Sequence, residues 1–310
     1  MALVEHDIRA ADGTELRLRE APCEGATEAV VLVHGATYPS LAAFGSPDGP
    51  TRPWSVAVGD GGRAGFAVDL RGYGDSERPA AFEGSPSGTA TVPSRASDAA
   101  ADVDAAVSAV GERFDRVHLV GYSWGTIVCG RYLTRQEGTV ASLTQFAPVY
   151  RPSEMSERWD AGDPPSPSRR VTREAARRRW DRQLPGDDPS AYRPDGAFEA
   201  FWTALSASGQ HVPGAEQPTI AAPNGTLLDL QAAARGDPVY DAGEISSPTL
   251  VVRGTLDSAS TRRDALGLYD ELGCGDGREY AEIAGGTHFL PLEHRGSALF
   301  GAVSSFQDRA

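Results

Sequence analysis

The feature that most constrains the fold of this chain is an apolar run that passes into a helical run through the pentapeptide Gly-Tyr-Ser-Trp-Gly at residues 121–125. Residues 116–120 are β-branched and aliphatic, which is typical of a buried parallel strand, and residues 124–132 have helical periodicity. A strand, a Gly-x-Ser-x-Gly turn and a helix expose the serine hydroxyl beside backbone N–H donors. A serine hydroxyl is a weak nucleophile that needs such a setting and a neighbouring base. We therefore predict that Ser123 is a nucleophile.

Further apolar runs, separated by runs with helical spacing, predict the rest of a sheet. Strands are predicted at residues 29–33, 65–68, 142–147, 248–252 and 278–283, and helices at residues 94–110, 262–272 and 292–306. Several strands end in Gly-rich loops, which is typical of parallel strands that carry ligand loops at their carboxyl ends. Two alternating segments, 4–9 and 15–19, flank Asp12 and Gly13 and predict an antiparallel hairpin. The pattern predicts the α/β class with a doubly wound, mostly parallel sheet.

Residues 151 to about 241 interrupt this alternation. They contain no strand-like run, but many prolines, arginines and aromatic residues with intermittent helical spacing. The strands and helices resume after the interruption. We therefore predict a helical lid, or cap, at residues 150–241, inserted into an α/β core formed by residues 1–149 and 242–310.

Two residues near the ends of later strands are candidates to complete a catalytic triad with Ser123. Asp257 follows the predicted strand 248–252, where a carboxylate faces the same rim of the sheet as the serine. His288 follows the predicted strand 278–283 and precedes the last helix. In a triad the histidine takes the serine proton and the carboxylate holds the imidazole in the correct tautomer. The chain order Ser, Asp, His is the order expected for this sheet topology.

The other five of the six histidines are weaker candidates for the base. His34 belongs to a His-Gly turn, His118 lies inside a predicted strand, and His294 falls in the predicted last helix. His6 and His211 have no supporting motif. The histidine of the Gly-Thr-His motif near the carboxyl end is therefore the predicted base.

Composition excludes several functions. The chain has 29 basic and 43 acidic residues and a net charge of −14, which disfavours nucleic acid and anionic membranes as partners. Every basic residue is arginine, which excludes a Schiff-base lysine, a P-loop lysine and a Ser-Lys dyad. The three cysteines are far apart and fit neither a disulfide framework nor a metal site. The first ten residues lack the apolar core of a secretion signal, so we expect a cytoplasmic protein. We also expect no cofactor and no metal.

Five motifs occur in the order that they have in the α/β-hydrolase superfamily, and the chain resembles the serine hydrolase branch of that superfamily. The motifs are His-Gly-Ala at residues 34–36, Asp-Leu-Arg-Gly-Tyr-Gly-Asp-Ser at residues 69–76, the pentapeptide at residues 121–125, Gly-Thr-Leu-Asp at residues 254–257 and Gly-Thr-His at residues 286–288. The resemblance implies an oxyanion hole of two backbone N–H groups, which map to Trp124 and Ala36, with Thr37 as the alternative to Ala36. Removal of one such donor costs roughly 3 to 4 kcal/mol of transition-state stabilisation.

The strand, turn and helix around Ser123, here called the elbow, are similar to those of proline iminopeptidases, but the chain departs from them elsewhere. It reads His-Gly-Ala-Thr-Tyr-Pro at residues 34–39, where they have His-Gly-Gly-Pro-Gly. Its predicted lid shows no identifiable acidic residues that would hold a free amino terminus. Dehalogenases and epoxide hydrolases of this fold use an aspartate nucleophile, which Ser123 argues against. Hydroxynitrile lyases rely on a lysine, which this chain lacks.

Two features of the predicted lid bear on the substrate. Phe198, Phe201 and Trp202 fall on one helical face and, with Thr37, form the predicted substrate pocket, although packing of the lid on the core explains the three aromatic residues equally well. Residues 169–182 carry seven arginines against two acidic residues. Such a run is usually a solvated helix face. The alternative is that it docks an acidic partner or steers a carboxylated substrate.

Together these residues predict a cofactor-independent serine hydrolase. Ser123 attacks the acyl group, His288 shuttles the proton and Asp257 orients His288, so that an ester, lactone, thioester or amide of a small molecule is cleaved through an acyl-enzyme. Two alternatives stay open. One is a non-hydrolytic enzyme of the same fold, such as a cyclase or lyase of secondary metabolism, and the other is a small-molecule receptor that retains the triad.

Overall fold

The computed structural model describes residues 2–82, 92–135, 140–153, 159–163 and 165–310. In these ranges no helix is long and apolar enough to cross a membrane. The ranges include all three residues of the predicted triad.

The centre of the fold is an eight-stranded sheet with the strand order β1-β2-β4-β3-β5-β6-β9-β10. The strands of the chain are β1 (Val4–Arg9), β2 (Glu15–Ala21), β3 (Glu28–Val33), β4 (Ala64–Val68), β5 (Arg116–Tyr122), β6 (Ser142–Phe146), β7 (Ser168–Thr172), β8 (Thr219–Pro223), β9 (Thr249–Gly254) and β10 (Arg278–Ile283). β2 pairs antiparallel with β1 and β4, and every other pair in the sheet is parallel. The predicted hairpin and the mostly parallel sheet are therefore confirmed.

Helices cover both faces of this sheet. The helices in the described ranges are α1 (Ser40–Phe44), α2 (Trp54–Ala57), α3 (Ala96–Gly111), α4 (Trp124–Leu133), α5 (Arg173–Asp181), α6 (Ala197–Ala207), α7 (Gly225–Ala234), α8 (Arg262–Glu271) and α9 (Gly296–Gln307). Alternate residues of β3 point to opposite faces. Val31 and Val33 lie in one buried cluster with α3 and α4, whereas Val30 and Leu32 lie in another with α9. This two-sided packing is the predicted doubly wound arrangement.

The segment between β6 and β9 differs from its prediction. The sequence predicts no strand in residues 151–241, but β7 and β8 form a two-stranded antiparallel sheet there, so that prediction is wrong. Each strand has only five residues. Two of the five in β7 are arginines, and β8 has two alanines in succession before a proline, so neither shows the apolar alternation that marks a strand. The helical spacing in the segment does correspond to helices, α5, α6 and α7.

The last helix begins later than the sequence predicts. A short 3-10 turn at Leu290–Leu292 contains Pro291, and α9 begins only at Gly296. Proline has no N–H for a helical hydrogen bond, which favours a break at this point. His294 therefore lies before the helix rather than in it, with its Nε2 3.0 Å from the carbonyl oxygen of Ser190.

Candidate active site

Ser123 lies at a sharp turn between β5 and α4. The strand ends at Tyr122 and the helix begins at Trp124. Ser123 has a φ of 56° and a ψ of −121°, a conformation that residues other than glycine rarely adopt. Its N–H donates to the carbonyl of Phe146 over 2.9 Å, so the end of β6 holds the strained turn in place. The strand, turn and helix predicted from the pentapeptide are all present.

Three glycines make room for this turn. A Cβ atom at Gly125 would lie 2.4 Å from the carbonyl oxygen of Val33, and one at Gly121 would lie 2.7 Å from the carbonyl oxygen of Gly125. A Cβ atom at Gly35 would lie 2.9 Å from the Cβ of Ser123. These separations are well inside van der Waals contact, so a larger residue at any of the three positions must displace its neighbours.

The structure brings Ser123, His288 and Asp257 together. The Nε2 atom of His288 lies 3.0 Å from the Oγ of Ser123, and its Nδ1 lies 2.8 Å from the Oδ2 of Asp257. Asp257 follows β9 and His288 follows β10, so both approach Ser123 from the carboxyl ends of parallel strands. All three residues are buried. Because an ionised carboxylate can only accept hydrogen bonds, the Asp257 contact fixes the proton on Nδ1 and leaves Nε2 free to accept from the serine.

The carboxylate of Asp257 is held in its ionised form. Its Oδ1 accepts the backbone N–H groups of Ala259 over 2.8 Å and Ser260 over 3.0 Å. Burial opposes ionisation, but the interaction with His288 and these two N–H groups outweigh it and lower the pKa of Asp257 below its ordinary value. The carboxylate is therefore oriented before any substrate binds.

The loop that carries His288 is anchored by two side chains. The hydroxyl of Tyr122 donates to the carbonyl of His288 over 2.7 Å, and the backbone N–H of His288 donates to the Oε1 of Gln183 over 2.9 Å. Tyr122 precedes Ser123 and belongs to the elbow, whereas Gln183 follows α5. Both main-chain groups of His288 are thus satisfied, one by the sheet and one by the segment between β6 and β9.

Glu293 braces the same loop from its other side. Its carboxylate accepts the backbone N–H of Thr287 over 3.0 Å and the indole N–H of Trp180 over 3.0 Å, and it also accepts the Thr287 hydroxyl. Burial raises the pKa of Glu293. The sequence does not point to Gln183 or Glu293, because a contact between residues 105 or 113 positions apart leaves no local pattern.

The two residues predicted to supply the N–H groups of an oxyanion hole both lie next to Ser123 or its cavity. Trp124 is the first residue of α4, so its N–H has no acceptor within its own helix. Ala36 lines the same cavity as Ser123 and follows Gly35, which packs against the serine. The N–H of Thr37 is directed instead at the Tyr73 hydroxyl, 3.4 Å away, which favours Ala36 over Thr37 as the second donor.

A cavity of about 340 Å³ opens beside Ser123 and His288. Its apolar lining comes both from the segment between β6 and β9 and from the rest of the chain. The apolar residues are Ala36, Tyr38, Val149, Trp159, Val171, Ala175, Leu227, Leu230 and Ala259. Its polar lining includes Thr37 and four arginines, Arg169, Arg178, Arg179 and Arg182. A larger cavity of about 620 Å³ lies between α1 and α6, but Ser123 and His288 are not part of its wall. The smaller cavity is of the size that holds small ligands.

Of the predicted pocket residues, the structure brings only Thr37 to this cavity. Phe198, Phe201 and Trp202 do not line it, so their prediction as pocket residues is corrected. They are buried on the inner face of α6, in a cluster with Tyr38, Trp180 and Phe289. An amphipathic stripe shows that a helix face is covered, but not whether protein or ligand covers it. Here the cover is protein.

The histidines rejected as a base have structural contacts. The Nε2 of His34 accepts the N–H of Leu70 over 3.1 Å in a fully buried setting. The ring of His118 lies 2.8 Å from the Ser142 hydroxyl and 3.2 Å from the Glu28 carboxylate. Neither ring contacts Ser123. The prediction that His118 lies inside a strand is confirmed, since it is a buried residue of β5.

The chain belongs to the alpha/beta hydrolase family, whose sequence model matches residues 30–302. Among solved structures it is similar to an esterase from Exiguobacterium antarcticum (17% identity, 98% of this chain and 100% of that chain covered, TM-score 0.64). It is also similar to a meta-cleavage product hydrolase from Pseudomonas fluorescens (16% identity, 98% of this chain and 97% of that chain covered, TM-score 0.68). A third similar structure is the thioesterase domain from the curacin biosynthetic pathway (14% identity, 99% of this chain and 99% of that chain covered, TM-score 0.61). At these identities the similarity establishes a shared fold. No curated protein matches the chain.

Proposed function

We propose that this protein is a serine hydrolase that cleaves a carboxylic ester, lactone, thioester or amide of a small molecule through an acyl-enzyme. The observation that carries the proposal is the unbroken series of contacts from Ser123 through His288 to Asp257, at 3.0 and 2.8 Å. Membership of the alpha/beta hydrolase family supports hydrolase chemistry. The esterase and the thioesterase domain of this fold support an acyl substrate.

In the first half of the proposed reaction, the Ser123 oxygen attacks the carbonyl carbon of the substrate while the Nε2 of His288 takes the serine proton. Asp257 stabilises the imidazolium that forms. The N–H groups of Ala36 and Trp124 donate to the carbonyl oxygen as it becomes negative. The bond to the leaving group then breaks, His288 returns the proton to that group, and the acyl chain stays on Ser123.

In the second half, a water molecule takes the place of the leaving group. His288 removes a proton from the water, which attacks the acyl carbon and again forms an oxyanion facing Ala36 and Trp124. The bond to the Ser123 oxygen breaks as that oxygen takes its proton back from His288. The products are a carboxylic acid and the free enzyme.

We also propose that residues 150–241 act as a lid on a core of residues 1–149 and 242–310. Arg169, Val171 and Ala175 from this segment line the cavity together with Ser123 and His288. The contact of Gln183 with His288 supports this arrangement, since it ties the segment to the loop of the proposed base.

The test is Ser123→Ala, with the exposed Ser297→Ala in α9 as the control. Wild type and the control are expected to take up one fluorophosphonate label per chain by intact mass, and Ser123→Ala none. With a panel of acyl esters, Ser123→Ala is expected to lose all measurable turnover. Full turnover by Ser123→Ala contradicts the mechanism. Absence of solvent oxygen from the product in heavy-oxygen water favours a non-hydrolytic enzyme, and absence of labelling with tight small-molecule binding favours a receptor.

A further inference from the structure

The arginine-rich run at residues 169–182 turns some of its side chains towards Ser123 and others away. β7 leads directly into α5, whose N-cap residue Thr172 accepts the N–H of Ala175 over 3.1 Å. In the strand, Arg169 lines the cavity, whereas the next residue, Arg170, is exposed and does not. In the helix and just beyond it, the cavity-lining positions share one face. These positions are Ala175, Arg178, Arg179 and Arg182.

Two arginines of α5 that face away from the cavity share one carboxylate partner. Arg173 and Arg177 both bond to Glu199, at 2.5 and 2.8 Å. The exposed Arg178, at the mouth of the cavity, pairs with Glu174 one turn earlier. An acidic chain with 43 carboxylates supplies such partners readily.

Arg169 and Arg179 differ from these arginines because they lack a carboxylate partner among the residues that the structure describes. Both are half-buried, and within the described ranges of the chain neither guanidinium contacts a carboxylate. Instead they converge on one neutral atom, the Oγ1 of Thr37, which lies 2.5 Å from Arg169 and 3.5 Å from Arg179. Two like charges therefore stand side by side in a cavity wall without a counter-charge.

The guanidinium of Arg169 is fixed in position but keeps hydrogen-bonding capacity. Three of its five N–H bonds are directed at the carbonyl of Pro223, the side chain of Asn224 and the hydroxyl of Thr37. Two N–H bonds remain for a ligand. Burial lowers the pKa of Arg169, and the charge of Arg179 lowers it further. The negative charge of a bound anion stabilises the charged guanidinium and so offsets both effects.

We propose that Arg169 and Arg179 bind a carboxylate of the substrate, so that the acyl compounds this protein hydrolyses are half-esters or half-thioesters of dicarboxylic acids. The inference rests on the proposed function of Ser123. The guanidinium group suits this role because its planar donors match the two oxygens of a carboxylate. Arg182, exposed at the mouth of the same cavity, adds positive potential along the path of an anionic substrate.

The position of Thr37 limits the length of the dicarboxylic acid. The hydroxyl of Thr37 accepts a hydrogen bond from Arg169. Thr37 directly follows Ala36, the proposed oxyanion donor, and the Cα atoms of adjacent residues are about 3.8 Å apart. The free carboxylate therefore binds within a few bonds of the reacting carbonyl. We expect acids with a short chain between the two carboxyl groups to be preferred over long ones.

The experiment compares charged and neutral substrates of equal size. Methyl hydrogen succinate, glutarate and adipate are paired with the methyl esters in which the free carboxylate is replaced by a carboxamide, and kcat/KM is measured for each. Wild type is expected to prefer the carboxylate of at least one pair by about 10- to 100-fold, as loss of a charged hydrogen-bond partner predicts. A methyl ester that carries a phosphonate in place of the carboxylate tests which anion is recognised.

Three variants locate the effect. Arg169→Gln and Arg179→Gln are each expected to lower kcat/KM for the carboxylate substrates at least tenfold, while the carboxamide substrates change less than threefold. Arg170→Gln, one residue along the same strand but outside the cavity, is the matched control and is expected to change neither. A circular dichroism spectrum and a melting temperature for each variant show whether it has folded.

A binding measurement keeps this inference separable from the proposed function. Methyl hydrogen glutarate is titrated against Ser123→Ala and against the double variant Ser123→Ala/Arg169→Gln, with binding expected only to the first. Equal turnover of the carboxylate and carboxamide pairs, equal binding to both proteins, or a preference for the phosphonate overturns the carboxylate assignment and leaves the hydrolase proposal intact. Binding that depends on Arg169, without turnover of any ester, overturns the hydrolase proposal but not the anion site.

Discussion

Tyr122 donates its hydroxyl hydrogen to the backbone carbonyl of His288 over 2.7 Å, so the residue before the candidate nucleophile holds the loop of the candidate base. Tyr122→Phe removes this buried hydrogen bond and leaves the ring in place. We expect the free energy of unfolding to fall by about 1 kcal/mol. We also expect kcat to fall severalfold with little change in KM, because the imidazole is less well aligned with Ser123. Denaturant unfolding and steady-state kinetics measure the two effects.

Tyr240→Phe is the control for Tyr122→Phe. The Tyr240 hydroxyl is buried and has no hydrogen-bond partner in the part of the chain that the structure describes. Its removal is expected to leave both stability and kcat unchanged. If Tyr122→Phe behaves in the same way, the bond to His288 has no role in alignment.

Asp257→Asn tests the orientation of the imidazole. An asparagine preserves the shape but can present an N–H to Nδ1, which favours the tautomer with the proton on Nε2. That tautomer cannot accept the Ser123 proton. We expect kcat to fall by about 10⁴-fold, the size of this effect in a well-studied serine protease, with little change in KM. Asp270→Asn, an exposed position in α8, is expected to keep full activity, and a comparable loss there refutes the assignment.

Asp69 gives the protein a predictable response to acid. Burial opposes its ionisation, but Arg19 at 2.6 Å and the N–H of Ser40 at 2.8 Å outweigh this and lower the pKa of Asp69 below its ordinary value. The unfolded chain then takes up the proton at a higher pH than the folded chain does. The stabilisation is complete above about pH 4 and is lost as the pH falls through the pKa of the folded state.

The measurement for this prediction is the melting temperature of Asp69→Asn from pH 7 to pH 3. The difference from wild type is expected to be largest and constant at neutral pH and to shrink below about pH 4. Asp48→Asn, an exposed position, is expected to match wild type throughout. A difference for Asp69→Asn that grows towards low pH has the wrong sign and refutes the account.

Gly125→Ala tests the packing of the elbow. The added methyl group would lie 2.4 Å from the Val33 carbonyl oxygen and 2.6 Å from that of His34, and backbone cannot move aside as a side chain can. We expect a loss of about 1 to 3 kcal/mol in the free energy of unfolding. Gly111→Ala, where nothing lies within 4 Å of the new atom, is the control and is expected to cause no loss. Equal melting temperatures for the two variants contradict the packing argument.

The sequence predicted the parts of the fold that have a local pattern. The strand, turn and helix around Ser123 appear as an apolar run, a glycine-rich turn and a periodic run, and each is dictated by residues close in the chain. The strands before Asp257 and His288 were predicted in the same way, and the topology of a parallel sheet then places both beside the serine.

What the sequence could not predict depends on contacts between distant residues. β7 pairs with β8 about 50 residues later, and its arginines hide the alternation of a strand. The stripe on α6 showed that Phe201 is buried but not by what. The basic run showed an excess of arginine, but the alternation of side chains in β7, a strand that the sequence does not reveal, determines that Arg169 faces the cavity and Arg170 does not.

The contact of Gly35 with Ser123 also determines which parts of this protein can be re-engineered. Because the glycines at 35, 121 and 125 are each closed in by backbone or by the serine itself, a mutant library that samples them will consist mostly of inactive clones. Val149, Ala175 and Leu230 border the empty volume instead. Directed evolution towards a bulkier or smaller acyl group should therefore diversify those three positions and keep the elbow unchanged.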